Sequence, residues 1–210
     1  MWMVPERDRI VSPHHSSRHG EGVEGVVIHQ SVSPTESEAR EVRRLRNVTK
    51  RTTGNIWSAH DVLLRSGRRV QMVPYDRAAW HTDDETASWF IGNRTVSQPV
   101  DRFTIGIELM NVGPLERQPD GTYRNVYKGV HTGAVAFDAL GVPYEPFTVA
   151  QIAALRALVY ELCAAFPTLC DPLRWTGHED IQPGKVDPGA MFPWADLRGW
   201  VLAARDGVCV

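Results

Sequence analysis

The stretch Gly177-His178-Glu179-Asp180-Ile181-Gln182-Pro183-Gly184-Lys185-Val186-Asp187-Pro188-Gly189 sets a histidine and an aspartate nine residues apart, with a lysine two positions before the aspartate. Its two prolines and three glycines argue against a helix or a central strand. A loop is expected, with polar groups that no ladder consumes. A neutral imidazole and a carboxylate are ordinary zinc ligands. A catalytic zinc site takes a third protein ligand from elsewhere and leaves one position open for water.

His29 is the candidate third ligand. It ends the β-branched run Val26-Val27-Ile28, and a strand end that delivers a side chain into a cleft is where chemistry collects in sheet proteins. A lone histidine at a strand end is usually a satisfied polar residue. Together, His29, His178 and Asp187 would make a two-nitrogen, one-oxygen set with an open fourth position, the catalytic pattern.

Glu108 is the candidate base. It sits in residues 105–110, which are otherwise apolar apart from Gly106. Burying a carboxylate there costs several kcal/mol unless it is paired or has a task. Burial would also raise its pKa toward the range useful for proton transfer. The competing reading has Glu108 facing solvent, but Gly106 and Met110 share its face and neither suits a solvent face. Lys185 could stabilise a developing oxyanion, although most lysines are simply exposed.

His60, Trp80, His81 and Asn111 are candidates for lining a substrate cleft. Trp80 also reads as core, and His60 as a hydrogen-bond partner of the ligand shell. His14, His15 and His19 lie in a polar segment and are expected to bind nothing. The sequons at Asn47 and Asn93 read as chance matches.

These residues need a scaffold. Residues 1–22 read as a polar N-terminal arm, and 23–205 as one domain. Strands are expected at 23–29, 56–64, 69–73 and within 101–111. Ser33 to Glu36 form a capping-box pattern opening a helix to about Asn47. Residues 76–99 read as a loop holding Trp80, His81 and Trp89. Residues 112–147, rich in Gly, Pro, Tyr and Asp, read as a long irregular excursion. Thr148 and Gln151 form a second capping box, ahead of a helix with apolar residues at helical spacing from Ile152 to Phe166. Trp194, Leu197, Trp200 and Val201 suggest a last short helix. The fold class expected is α/β (α+β), a single domain with a central mixed β-sheet flanked by helices.

Composition agrees with one globular domain of 210 residues, 42% apolar and 23% charged. The net charge of −2 argues against nucleic acid as a partner, despite a basic cluster over 40–51. No apolar run approaches the ~20 residues that cross a bilayer. The first residues show no apolar signal core, so a cytoplasmic species is expected as synthesised. The three cysteines, Cys163, Cys170 and Cys209, lack metal-ligand spacing; free thiols are expected, with a Cys163–Cys170 bridge left open.

The chain resembles the zinc-dependent N-acetylmuramoyl-L-alanine amidases, the family that includes phage lysozyme-type amidases and peptidoglycan recognition proteins. The matching pieces stand in family order: Val26-Val27-Ile28-His29, Ser58-Ala59-His60, Ala79-Trp80-His81, Thr104-Ile105-Gly106-Ile107-Glu108-Leu109, Pro146-Phe147-Thr148 with Gln151, and Gly177-His178 through Asp187-Pro188-Gly189. The resemblance spans about residues 12–201 and is closest to the AmpD and AmiD type. It implies that His29, His178 and Asp187 bind one zinc ion, that Glu108 is the catalytic glutamate, and that Lys185 is the active-site lysine. The implied substrate is peptidoglycan or a muropeptide, cut between N-acetylmuramic acid and L-alanine, by a monomer.

Two departures stand out. The family's basic pair before the aspartate is reduced to Lys185-Val186, and the segment 115–144 is longer than the family expectation. Two other readings compete: a recognition module that binds peptidoglycan without cutting it, and a zinc peptidase acting within the stem peptide. The resemblance leaves open wall recycling, phage endolysis or delivery by a signal-independent route.

Overall fold

The computed structural model describes residues 1–32, 37–46, 57–83, 86–91, 94–96 and 99–207. The fold is one α/β domain. At its centre lies a five-stranded mixed sheet ordered β14-β2-β8-β3-β4, built from β2 (Gly25–Gln30), β3 (Asp61–Leu63), β4 (Arg69–Gln71), β8 (Thr104–Leu109) and β14 (Trp175–Gly177). β14, β2, β8 and β3 run parallel; β4 is antiparallel to β3 at the edge.

β2 and β8 are buried along their whole length, which explains their near-continuous apolar character. Alternation divides their side chains between two faces. Val26, Ile28, Ile105, Ile107 and Leu109 enter the main core. That core is covered by α2 (Val149–Ala165) and α4 (Trp194–Arg205), which contribute Leu155, Leu158, Leu162, Leu197 and Val201. The opposite face receives Val27, His29, Thr104, Gly106 and Glu108. The period of two therefore places His29, Thr104 and Glu108 on the side away from the long helices.

The capping box of α2 forms as expected. Thr148 Oγ1 accepts from Gln151 N at 3.1 Å, and Thr148 N donates to Gln151 Oε1 at 3.1 Å. The Gln151 amide also donates to the carbonyls of Leu63 and Met110, tying the helix start to β3 and to the end of β8. Helix α1 is Glu38–Arg46; the expected capping box at 33–36 and the helix end at Asn47 lie outside the described residues.

Several expectations need correction. The strand expected over 56–64 is only β3 in the structure. Ile56 lies outside the described residues, and Ser58 N donates to Trp80 O, so the ladder with β8 starts at Asp61. Residues 76–99 are not simply a loop. They contain β5 (Arg77–Ala79), β6 (Trp89–Ile91) and β7 (Arg94–Val96), and β5 pairs with β1 (His15–Ser17).

The N-terminal segment is knitted to the body by this pairing. The buried Arg18 guanidinium donates to the carbonyls of Tyr75, Arg102 and Thr104.

The excursion over 112–147 folds on itself. β9 (Glu116–Arg117), β10 (Tyr123–Arg124) and β11 (Val130–His131) form one small antiparallel sheet, and β12 (Ala136–Phe137) pairs with β13 (Pro143–Tyr144). The Asp120, Asn125 and Asp138 side chains accept from turn amides two to four residues on, which lets such short strands reverse.

The stretch expected as a loop over 177–189 starts with order. Gly177 ends edge strand β14, and α3 (His178–Ile181) is one helical turn. Asp180 Oδ2 accepts from Gly177 N and Thr176 Oγ1, both at 3.0 Å, which closes that turn before either proline. Cys163 and Cys170 are free thiols, each close to a backbone carbonyl; Cys209 lies outside the described residues. Among the described residues no helix is long and apolar enough to cross a membrane.

Candidate active site

Three parallel strands deliver the site. His29 follows Ile28 in β2, and Glu108 pairs with His29 in the adjacent strand β8. Gly177 pairs with Ile28, so His178, one step on, reaches the level of His29 on the other side. The three residues meet at the carboxyl ends of neighbouring parallel strands, where open sheets place their ligands. Asp187 folds back to the same point: its carbonyl accepts from Glu179 N at 2.9 Å.

The donor atoms converge. His29 Nδ1 lies 3.0 Å from His178 Nδ1, and Asp187 Oδ2 lies 3.2 Å from each of them. A tetrahedral zinc with bonds of about 2.0–2.1 Å holds its ligand atoms about 3.3 Å apart, so this triangle matches one face of that tetrahedron. The donor set fits too. His178 Nε2 donates to Gln182 Oε1 at 2.7 Å, an oxygen that also accepts from Asp83 N, so its bare Nδ1 faces the other two. These residues form the one His/Cys/Asp/Glu cluster of metal-binding geometry found among the described residues.

Glu108 stands beside the triangle, 7% exposed, with its Oε2 lacking a hydrogen-bond partner. Burial pushes its pKa up to about 8; the Asp187 carboxylate adds to the rise and Arg44 opposes it. Burial likewise pushes His29 down to about 4, despite its neighbour Asp187. The site thus pairs a neutral imidazole with a carboxyl group that titrates near neutral pH.

A cavity of about 620 Å³ opens onto this cluster. His29, His178, Asp187, Glu108 and Lys185 line it, as do the rings of Trp80 and Trp57. Lys185 is exposed. His81 also reaches the cavity, but its ring lies behind His29, with Nδ1 3.0 Å from His29 Nε2.

Two residues expected in the cleft are elsewhere. His60 is fully buried; its Nδ1 accepts from Gly106 N and its Nε2 donates to Arg77 O, so it braces the central strand. Asn111 donates to Glu145 O and accepts from Gly113 N, pinning the base of the excursion. Their polar atoms are consumed in the interior. Sequence reasoning missed Trp57 and Gln182. For Gln182 a signal existed: it stands four residues after His178, one helical turn away. Nothing in the local sequence marked Trp57.

The sequence profile of the N-acetylmuramoyl-L-alanine amidases matches residues 19–190. This chain belongs to that family. Among curated relatives, 1,6-anhydro-N-acetylmuramyl-L-alanine amidase AmpD of Salmonella typhimurium is 32% identical over 145 residues, 69% of this chain and 57% of the relative. AmpD of Escherichia coli is 32% identical over 150 residues, 71% of this chain and 60% of the relative. The matched stretch thus spans less than two-thirds of these relatives.

Among solved structures, a selenomethionine derivative of AmpD superposes with a TM-score of 0.64 at 27% identity, covering 94% of this chain and 96% of that one. The Escherichia coli amidase AmiD, solved with anhydro-N-acetylmuramic acid-L-Ala-D-γ-Glu-L-Lys, shares the fold at a TM-score of 0.57 and 23% identity, over 91% of this chain and 60% of its own.

Proposed function

We propose that this chain hydrolyses the amide between N-acetylmuramic acid and the L-alanine of a peptidoglycan stem peptide, using one zinc ion held by His29, His178 and Asp187. The observation that carries the reading is the triangle of Nδ1, Nδ1 and Oδ2 atoms, 3.0–3.2 Å on each side, beside the buried Glu108 with its unpartnered Oε2. When bound, zinc supplies Lewis-acid polarisation of the scissile carbonyl and acidifies water.

The chain's own residues do the rest. Glu108 takes the proton of the attacking water and returns it to the departing alanine amine. Its low-dielectric surroundings hold its basicity near working pH, and the charge of a bound cation draws that value down from about 8. Lys185 brings positive charge toward the oxygen on which negative charge develops. The Trp57 and Trp80 rings offer apolar faces against which sugar or peptide can lie. The names of the AmpD relatives, and the ligand of the AmiD structure, support anhydro-muropeptides as the substrate class.

Incubation with a purified anhydro-muropeptide, followed by mass spectrometry, tests the reading. The expected products are a stem peptide with a free alanine amine and the peptide-free sugar. Cleavage within the peptide, leaving alanine on muramic acid, would replace this reading with a peptidase. Binding without cleavage would replace it with a recognition module.

A further inference from the structure

Behind His29 lies a chain of hydrogen bonds whose direction can be read from its far end. Thr104 has one hydroxyl proton, and it goes to the carbonyl of Val100 at 2.7 Å. Toward His81 that oxygen can only accept, so the 2.9 Å contact with Nε2 requires a proton on His81 Nε2. Asp101 Oδ1, 3.5 Å from the same nitrogen, imposes the same choice because a carboxylate also only accepts. In a neutral ring, His81 Nδ1 is then a bare lone pair. The 3.0 Å contact with His29 therefore runs from His29 Nε2–H to His81 Nδ1. His29 is left with its unprotonated Nδ1 aimed at His178 and Asp187.

We propose that Thr104 and His81 are positioning residues that lock His29 in the tautomer able to ligate a metal through Nδ1. The inference rests on reading His29 as a zinc ligand, and it assigns a task to two residues that hold no metal themselves.

The surroundings are built for this. His81 N, Thr82 N and Thr82 Oγ1 all donate to Asp101 Oδ1, at 3.2, 3.0 and 2.9 Å, which fixes the turn carrying the ring. Gly106 leaves the ring its space, since a Cβ there would lie 2.5 Å from His81 Cγ. The relay is buried throughout: Thr104, His81 and His29 are 0%, 6% and 2% exposed. Without it, a neutral His29 would be free to place its proton on Nδ1, between the three donor atoms.

Long-range nitrogen–proton correlation spectra of the metal-free protein, labelled with nitrogen-15 histidine, test the tautomers directly. Nε2–H forms of both His29 and His81 are expected; an Nδ1–H form of His29 overturns the proposal. Zinc titration gives the second readout. His81→Phe should weaken zinc binding about 10–100-fold and Thr104→Val about tenfold, with Thr104→Ser restoring it. If His81→Phe does not fold, the Thr104 pair still decides. Unchanged zinc affinity in Thr104→Val also overturns the proposal. The spectra need neither metal nor substrate, so they can fail while the amidase reading stands, and hold while no amide is cut.

Discussion

His29 and Glu108 occupy the same rung of the parallel ladder between β2 and β8, on the face turned away from the long helices. One strand thus presents an imidazole of the candidate metal triangle and its neighbour a carboxylate, at a spacing set by backbone hydrogen bonds. Two rigid central strands hold this pair.

That arrangement separates binding from chemistry. Glu108→Ala should keep about one zinc per chain, because none of the three donor atoms is lost. Its turnover on a muropeptide should fall by about 10²–10⁴, the usual contribution of a positioned acid–base group. Metal analysis beside product release checks both halves; undiminished turnover would remove Glu108 from the reaction.

The burial of Glu108 also has a stability consequence in the metal-free protein. Its folded pKa of about 8 stands above the unfolded value of 4.5. Between these values the folded state binds more protons, so Glu108's contribution to stability falls as pH rises, by up to about 1.4 kcal/mol per unit. His29 has the opposite sign: its folded pKa of about 4 lies below the unfolded 6.5, so its contribution grows with pH across that window and is complete above it. Glu108→Gln removes only the first effect. Urea unfolding at pH 6.5 and 8.0 should show the wild type losing ground to Glu108→Gln; an equal pH dependence in the two proteins contradicts the assignment.

Gly106 is the residue of β8 that tolerates no side chain. A Cβ would sit 2.5 Å from His81 Cγ, and the ring cannot retreat while it bonds both Thr104 and His29. Gly106→Ala should cost about 1–3 kcal/mol in unfolding free energy and weaken zinc binding with it. Thermal melts and zinc titration check this. Unaltered stability would show that the ring has room to move.

Lys185 lies at the cavity and holds no metal-binding atom of the triangle. Lys185→Met should reduce kcat by about 100-fold while leaving zinc content unchanged. A change confined to KM would assign Lys185 to ground-state binding instead.

How legible the site was depended on how local each signal is. His29, Glu108, His178 and Asp187 could be picked out as candidates because each breaks its surroundings: a polar end to an apolar run, an acid inside one, and an imidazole and a carboxylate in a stretch rich in proline and glycine. β2, β8 and α2 announced themselves through continuous apolar character or helical spacing. His60 and Asn111 were misplaced because a polar residue consumed by interior hydrogen bonds looks, in sequence, like one lining a cleft. β5 to β7 and the paired strands of the excursion escaped because two- and three-residue strands have too little periodicity to register. Their stability comes from turn side chains such as Asp138 and from partners far along the chain.

The central claim is that one ion bound by His29, His178 and Asp187 makes this chain an amide hydrolase. Chelator-stripped protein titrated with zinc, with alanine-peptide release from an anhydro-muropeptide followed at each addition, tests it most directly. Activity should be absent at the start, rise in proportion to added zinc and level off at one equivalent, and His178→Ala should stay inactive at that point. Full turnover by the stripped protein, or by His178→Ala at one equivalent, would contradict the account.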